Sequence, residues 1–398
     1  MLNQVAQDIA VTVSDIIGHG VLVTDDRGVI IGCDDVSRIG VCHTPSLEVM
    51  KSKKPLVTTE AEASKMSGVK PGFTLPILLV EEVVGSIAIA GDPGEVKKFG
   101  LLVQKQAEIM LRQQALMQQN MLREKALRDL AESIASFNPA YGNETLILLQ
   151  GEELGYDLKL CRIAMIVELE SYVGEQVGFT MRRVLDRLKE TFHHPKNVFC
   201  PLNSFSACAF LVNDRKLNDD KFERYVFELC RSCMSLLSKE GIAISIGIGQ
   251  PAKDIGELAE SYRRAREALT LGKKICQKGE NCFSASDFIM ECALASIPLK
   301  KQNDFVEQVL GKLTAHPDSN QLIETFCAWC DYSFKTKEAA KNLSLHRNTL
   351  LYRLKKIESI TGLSPWNFKD SMKLATAIFL KSLGSDDPPY SIDRQYSI

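Results

Sequence analysis

The sequence predicts a multidomain chain of the α/β class, arranged as successive pieces of different make-up. Three observations carry that expectation. The chain has 398 residues, and at about 150 residues per domain it should hold two or three cores. Strand-rich runs alternate with helical periodicities up to about residue 290, after which every pattern is helical. Charge is split between the ends. Residues 1–96 carry 7 Lys+Arg against 13 Asp+Glu, a net of −6, and residues 336–381 carry 9 against 3, a net of +6. The overall charge of −2 therefore hides two surfaces suited to different partners.

Composition excludes several classes. With 45% hydrophobic and 25% charged residues the chain reads as globular, and no apolar run reaches the roughly 18 residues of a membrane span. The stretch Met1–Ala10 holds Asp8 and no Lys or Arg, unlike a signal peptide, so a cytoplasmic protein without membrane contact is expected. Twelve cysteines scattered along so long a chain read as reduced thiols. Cys230–Cys233 and Cys327–Cys330 are CxxC pairs, but each lies in a helical pattern far from the other and no histidine cluster joins them. They are expected to be small buried residues rather than a metal site or redox switch, and neither a metal nor a cofactor is expected.

Residues 1–97 read as a small mixed domain. "GVLVTDDRGVIIGC" is a hairpin about Asp26-Arg27-Gly28, and "FTLPILLVEEVVGSIAIAG" is a second hairpin about Glu81-Glu82. A short helix is expected near Ser46 to Lys53. A central antiparallel sheet crossed by short helices is the arrangement of PAS-like small-molecule sensor domains. Residues 98–136 follow with no Pro and a single Gly, Gly100. Leu102, Ile109 and Leu116 recur every seven residues, and Leu127 and Ile134 repeat the interval. This is one long connector helix, either an ordinary core helix or a seam that pairs two copies of the chain into a homodimer or higher homo-oligomer.

Residues 141–290 alternate strand and helix. "ISIGIGQPAKDIGELAESYRRAREALTLG" resembles the closing strand and helix of a diguanylate-cyclase-type (GGDEF) domain. The family's central turn carries a glycine pair and an acidic pair, whereas the corresponding hairpin here reads Leu202-Asn203-Ser204-Phe205-Ser206-Ala207. Glu168 and Glu170 lie on the first strand, but a metal–triphosphate site needs convergent carboxylates and close backbone approach. A degenerate GGDEF-like domain without catalytic residues is expected, and an active nucleotide cyclase or phosphodiesterase is the alternative.

Residues 318–381 form an all-α domain. Thr336 is expected to cap the helix "KEAAKNL", Ser344-Leu345 to make a tight turn, and Gly362 to end the helix "HRNTLLYRLKKIESITG". Ala339 and Ala340 allow two helices to approach closely. Leu350, Leu354 and Ile357 make a buried stripe. His346, Arg347, Asn348, Thr349, Tyr352, Arg353, Lys355 and Lys356 are left on the outer edge. Asn and Arg at the amino-terminal end can pair with base edges, and the later cations suit phosphates. The alternative is a solvated basic face, or a tail that binds an acidic protein. The run "KEAAKNLSLHRNTLLYRLKKIESITGL" strongly resembles the carboxy-terminal helix-turn-helix of the PucR and carbohydrate diacid regulator families. The resemblance implies double-stranded DNA as a partner. The tail 384–398 is expected to be disordered.

The front of the chain is similar to the sugar-diacid recognition domain of the carbohydrate diacid regulators, in "SRIGVCH", "LEVMKSKKPL", "GVKPGFTLPI" and "VGSIAIAGDPGEVKKFG". The resemblance covers the chain in order. It implies a transcriptional regulator, usually an activator, of genes for acids such as glucarate, galactarate or glycerate, or a PucR-like regulator of another metabolite. On the residues alone, an acidic domain needs a locally positive pocket to hold a small anionic effector. Lys51, Lys53 and Lys54 read as solvated. Arg38 and Lys70 sit beside glycine turns, near His43. Arg38, Gly40, His43, Lys70, Gly72 and Thr74 are therefore the expected ligand-binding residues. The alternative reading makes the glycine segments plain turns and His43 a structural residue. Family members often carry Asn where Thr74 stands, which bears on ligand choice.

Overall fold

The computed structural model describes residues 2–79, 82–172, 177–275 and 281–384. Part of the Glu81-Glu82 turn and nearly all of the expected disordered tail lie outside these residues. The chain divides into two compact units, residues 1–123 and 124–398.

The first unit opens with helix α1 (Leu2–Ile17), whose Ala6, Ile9, Ala10 and Val13 are buried at helical spacing. Strands β1 (Val21–Thr24) and β2 (Ile30–Cys33) form the first hairpin, followed by a 3₁₀ turn, Val36–Arg38. Helix α2 (Thr44–Ser52), strand β3 (Leu56–Thr58) and helix α3 (Glu60–Ala63) lead to β4 (Gly72–Leu79) and β5 (Glu82–Ala90). The five strands make one antiparallel sheet in the order β2-β1-β5-β4-β3. Gly72 stands where a Cβ would lie 2.1 Å from the Ile89 carbonyl oxygen, so only glycine lets β4 and β5 close there.

Helix α4 runs from Pro93 to Ala135, five residues earlier than the expected connector, because Pro93 suits the first turn of a helix. Its buried residues in the first unit are Val96, Gly100, Val103, Gln104, Ala107, Glu108 and Leu111. Leu102, Ile109 and Leu116 of the expected seam lie on the exposed face. Near its end, Leu127, Leu130, Ala131 and Ile134 enter a core of the second unit.

In the second unit, helix α5 (Glu144–Glu153) precedes β6 (Arg162–Tyr172), α6 (Val177–Thr191), β7 (Val198–Pro201) and β8 (Ser206–Val212). Helix α7 (Asp219–Lys239), β9 (Ile242–Ala252), α8 (Ile255–Ile275) and β10 (Cys282–Ser284) complete the sheet, ordered β10-β9-β6-β8-β7. Strand alternation sorts β6 between two cores. Ile163, Met165 and Val167 face α6 and α7, while Ala164 and Ile166 face the α8 side. Cys230 and Cys233 are buried in the α7 core, and burial pushes both thiols up. Arg162 is fully buried and donates to the carbonyls of Lys196, Phe210 and Asp157 at 2.9–3.0 Å. Burial pushes its pKa down to about 10.

Helices α9 (Ile289–Ala295) and α10 (Leu299–Thr314) lead to α11 (Ser319–Asp331), α12 (Thr336–Asn342), α13 (Arg347–Thr361) and α14 (Phe368–Leu383). Ala339, Ala340, Leu350, Leu354 and Ile357 join Leu322, Phe326, Leu374 and Ile378 in one core. Gly362, at φ 72°, ends α13. The expected Thr336 cap is not made: Thr336 is the first helical residue, preceded by Lys335 with no side-chain cap bond.

Candidate ligand cleft and nucleic-acid interface

In the first unit a cleft of about 30 Å³ lies against one face of the sheet. Arg38, His43, Lys70, Gly72 and Thr74 all line it, although they come from the 3₁₀ turn, the start of α2, a loop and β4. Gly40 does not line it. At φ 87° it serves the turn, and its N–H is spent on the Ile30 carbonyl at 2.8 Å, so it has no donor to offer an anion. Lys51, Lys53 and Lys54 are exposed and outside the cleft.

The cleft also holds residues that pattern reading did not single out: Asp34, Asp35 and Thr58. Asp35 accepts from the Ser37 amide at 3.1 Å and hydroxyl at 2.6 Å. Those bonds, with Arg38 and Lys70 nearby, hold its carboxyl below the usual range. Thr58 and Thr74 are buried, and their hydroxyls have no hydrogen-bond partner among the described residues. Arg38 Nη2 donates to the Gly68 carbonyl at 2.8 Å, tying the 3₁₀ turn to the segment before Lys70. Burial and the Arg38 charge push the His43 pKa down to about 4, so its ring is neutral at pH 7. Cations, carboxylates, free hydroxyls and a neutral imidazole therefore converge on a space about the size of one water.

Strand β4 connects this cleft to the long helix. Gly72 and Thr74 are in the cleft lining, while Phe73 and Leu75 crowd the position where a Gly100 side chain would stand in α4. Gln104 Nε2 donates to the Pro76 carbonyl at 2.7 Å. A shift of β4 is thus felt by α4 through close packing and a buried hydrogen bond.

In the second unit, α12, its turn and α13 expose a basic edge. The turn closes by a Schellman motif: the Ser344 amide bonds the Lys341 carbonyl at 3.1 Å and the Leu345 amide bonds that of Ala340 at 2.8 Å. Ser344 has φ 52°, where glycine is the usual occupant. His346 is the N-cap of α13, its Nδ1 accepting from the Asn348 amide. Arg347, Asn348 and Thr349 follow in the first turn, all exposed, with Tyr352 and Lys355 exposed further along. Arg353 and Lys356 also carry bonds within the chain. Arg353 donates to Thr325 and Gln321 at 3.2 and 3.0 Å, and Lys356 to Asp318 at 2.7 Å. Both brace α13 against α11 and its N-terminal end while staying partly exposed.

On β6, Glu168 and Glu170 both bind the Lys273 ammonium, at 3.0 and 2.5 Å. A lysine therefore fills the position between two carboxylates that a divalent ion would bridge. The hairpin from β7 to β8 turns on Asn203, whose Oδ1 accepts from the Phe205 and Ser206 amides.

Three known domain families match the chain in order: "Putative sugar diacid recognition" over residues 1–134, "GGDEF-like domain" over 140–271, and "PucR C-terminal helix-turn-helix domain" over 322–379. The carbohydrate diacid regulator of Escherichia coli strain K12 is 30% identical, over 95% of this chain and 97% of its own. An uncharacterized Bacillus subtilis protein, YsfB, is 22% identical over 94% of this chain and 96% of its own. The proline-responsive transcriptional activator PutR of B. subtilis is 28% identical over 34% of each chain.

Proposed function

The chain belongs to the carbohydrate diacid regulator family, and on that premise we propose that it activates transcription of genes for sugar-diacid or hydroxy-acid uptake and breakdown when such an acid occupies its front cleft. Glucarate, galactarate and glycerate are the effectors to try first. The observation that carries the reading is the convergence of Arg38, Lys70, His43 and Thr74 on one cleft. An effector carboxylate would take over the Arg38 guanidinium from the Gly68 carbonyl, a bond to a neutral acceptor exchanged for an ion pair. Lys70 adds a second positive charge. Effector hydroxyls would donate to Asp34 and Asp35 and meet Thr58 and Thr74. The cleft must widen to admit the acid, which moves the 3₁₀ turn and β4, and β4 bears on α4.

Residues 1–97 act in this reading as a PAS-like sensor, supported by the antiparallel sheet and its short helices. Residues 98–136 are the connector, 141–290 a degenerate GGDEF-like domain and 318–381 the DNA-binding domain. The exposed Leu102, Ile109 and Leu116 offer a heptad-spaced face for a second copy of the chain. Coupling of about 1–3 kcal/mol between effector and DNA is the usual range. A second reading, a regulator of the same plan that senses another metabolite, is favoured by Asp34 and Asp35, which oppose a second ligand carboxylate. The lysine between Glu168 and Glu170 speaks against a nucleotide cyclase.

A thermal-shift screen of hydroxy acids, sugar diacids and amino acids tests the reading, since a ligand of the folded state raises its midpoint. A hydroxy acid or sugar diacid should raise it in the wild type and not in an Arg38→Ala/Lys70→Ala variant. Undiminished affinity in that variant removes the cleft assignment. A response to amino acids alone selects the second reading.

A further inference from the structure

The imidazole in the cleft stands at the end of a buried chain of hydroxyls. His43 Nδ1 lies 2.8 Å from Ser46 Oγ. Ser86 Oγ donates to Ser46 Oγ at 2.7 Å, and Thr24 Oγ1 lies 2.9 Å from Ser86 Oγ. The chain passes from α2 to β5 to β1, and Thr24, Ser46 and Ser86 are 0% exposed, so no solvent proton enters along it.

Each hydroxyl has one hydrogen to donate, which sets the direction. Ser86 gives its hydrogen to Ser46, so Ser46 must give its own to His43, and Nδ1 must accept. Thr24 then donates to Ser86, and every hydroxyl hydrogen is used. In the opposite direction, His43 Nδ1–H would donate to Ser46 and Ser46 to Ser86. The Thr24 hydrogen would then be left without an acceptor among the described residues, at a fully buried site. An orphaned buried donor is costly. The neutral ring has one hydrogen, so Nε2 carries it. Nε2 has no partner among the described residues, and the ring lines the cleft.

We propose that Ser46, Ser86 and Thr24 are positioning residues that lock His43 as the Nε2–H tautomer, making it a neutral hydrogen-bond donor to a bound effector oxygen. This rests on the cleft being the effector site, and it adds a specificity rule. The ring accepts a carboxylate, hydroxyl or carbonyl oxygen at that point and rejects an ammonium or amide N–H, which would face a donor. The low His43 pKa agrees, because a ring that stays neutral keeps its tautomer across the physiological range.

Long-range ¹H–¹⁵N spectra of the full chain, labelled at histidine, read the tautomer directly. The His43 signals are those lost in His43→Gln. At pH 7 the wild type should show a neutral Nε2–H ring. Ser46→Ala should lose that preference, with Nδ1–H appearing, and should bind the probe D-glucarate about tenfold more weakly. An Nδ1–H or protonated ring in the wild type overturns the proposal, as does an unchanged tautomer in Ser46→Ala. Should Ser46→Ala fail to fold, Ser46→Cys keeps the volume, replaces the hydroxyl with a weak S–H donor and is read the same way. An Nε2–H ring in a protein that binds no hydroxy acid upholds the hydroxyl chain and removes the effector reading instead.

Discussion

The basic edge of the helix-turn-helix and the front cleft, both proposed as recognition surfaces for anions, are built in opposite ways. The edge draws its residues from one short run, 346–355, and shows them to solvent on a helix whose other face is core. The cleft collects residues from position 20 to position 90, encloses them and sets acids beside bases. The contrast follows from the partner. A phosphate backbone presents many charges along a line, and exposed cations gain by releasing its counterions. A small acid presents a few charges, so it must be desolvated and matched group by group. Recognition and stability should therefore separate at the edge and be entangled in the cleft.

The largest test of that separation is Arg347→Ala with Asn348→Ala. Specific DNA affinity should fall by about a hundredfold or more, each base contact being worth about 1–3 kcal/mol. The melting midpoint should barely move, because both side chains are exposed. A gel shift at fixed salt beside a thermal melt decides it, and a matching loss of stability would break the contrast.

Entanglement in the cleft should appear as acid sensitivity. The unfolded chain protonates His43 near pH 6.5, while the folded chain resists until about pH 4. Stability from this group is therefore present above pH 6.5 and is lost as pH falls toward 4, by up to about 3 kcal/mol. In urea titrations across that window His43→Gln should show a shallower slope than the wild type. Equal slopes would mean that the ring is not held neutral by its surroundings.

Within the edge, Lys355 and Lys356 should differ. Lys355→Ala should weaken DNA binding and reduce the salt slope by about 1. Lys356→Ala should change it less, since its ammonium is already held by Asp318. Asp318→Asn should free Lys356 and tighten binding at low salt. The smallest effect is expected for Ser344→Gly, which relieves a left-handed serine and should add up to about 1 kcal/mol of stability without altering DNA affinity.

Legibility followed the same division. The helix-turn-helix could be read almost whole, since Ala339, Ala340, Leu350, Leu354 and Ile357 declare their core face by local spacing. What it did not show are the bonds of Arg353 and Lys356 within the chain, because their partners lie on or just before another helix, α11. In the cleft, residue types beside glycine turns pointed to Arg38, His43, Lys70, Gly72 and Thr74. The same reasoning included Gly40, whose amide a neighbouring strand had taken, and passed over Asp34, Asp35 and Thr58. Helices α1, α5 and α10 were also passed over, although Ala6, Ile9, Ala10 and Val13 of α1 have plain helical spacing.

By itself the sequence determined what is local: the order of the pieces, the sign of charge at each end, and the buried stripe and polar edge of α13. Those depend on helix and strand periods of a few residues, which neighbours along the chain express. Only the tertiary structure decided which hydroxyl meets which ring. Thr24, Ser46 and Ser86 become neighbours of His43 through the pairing of β1 with β5 and the packing of α2 on the sheet, and no spacing along the chain encodes that meeting.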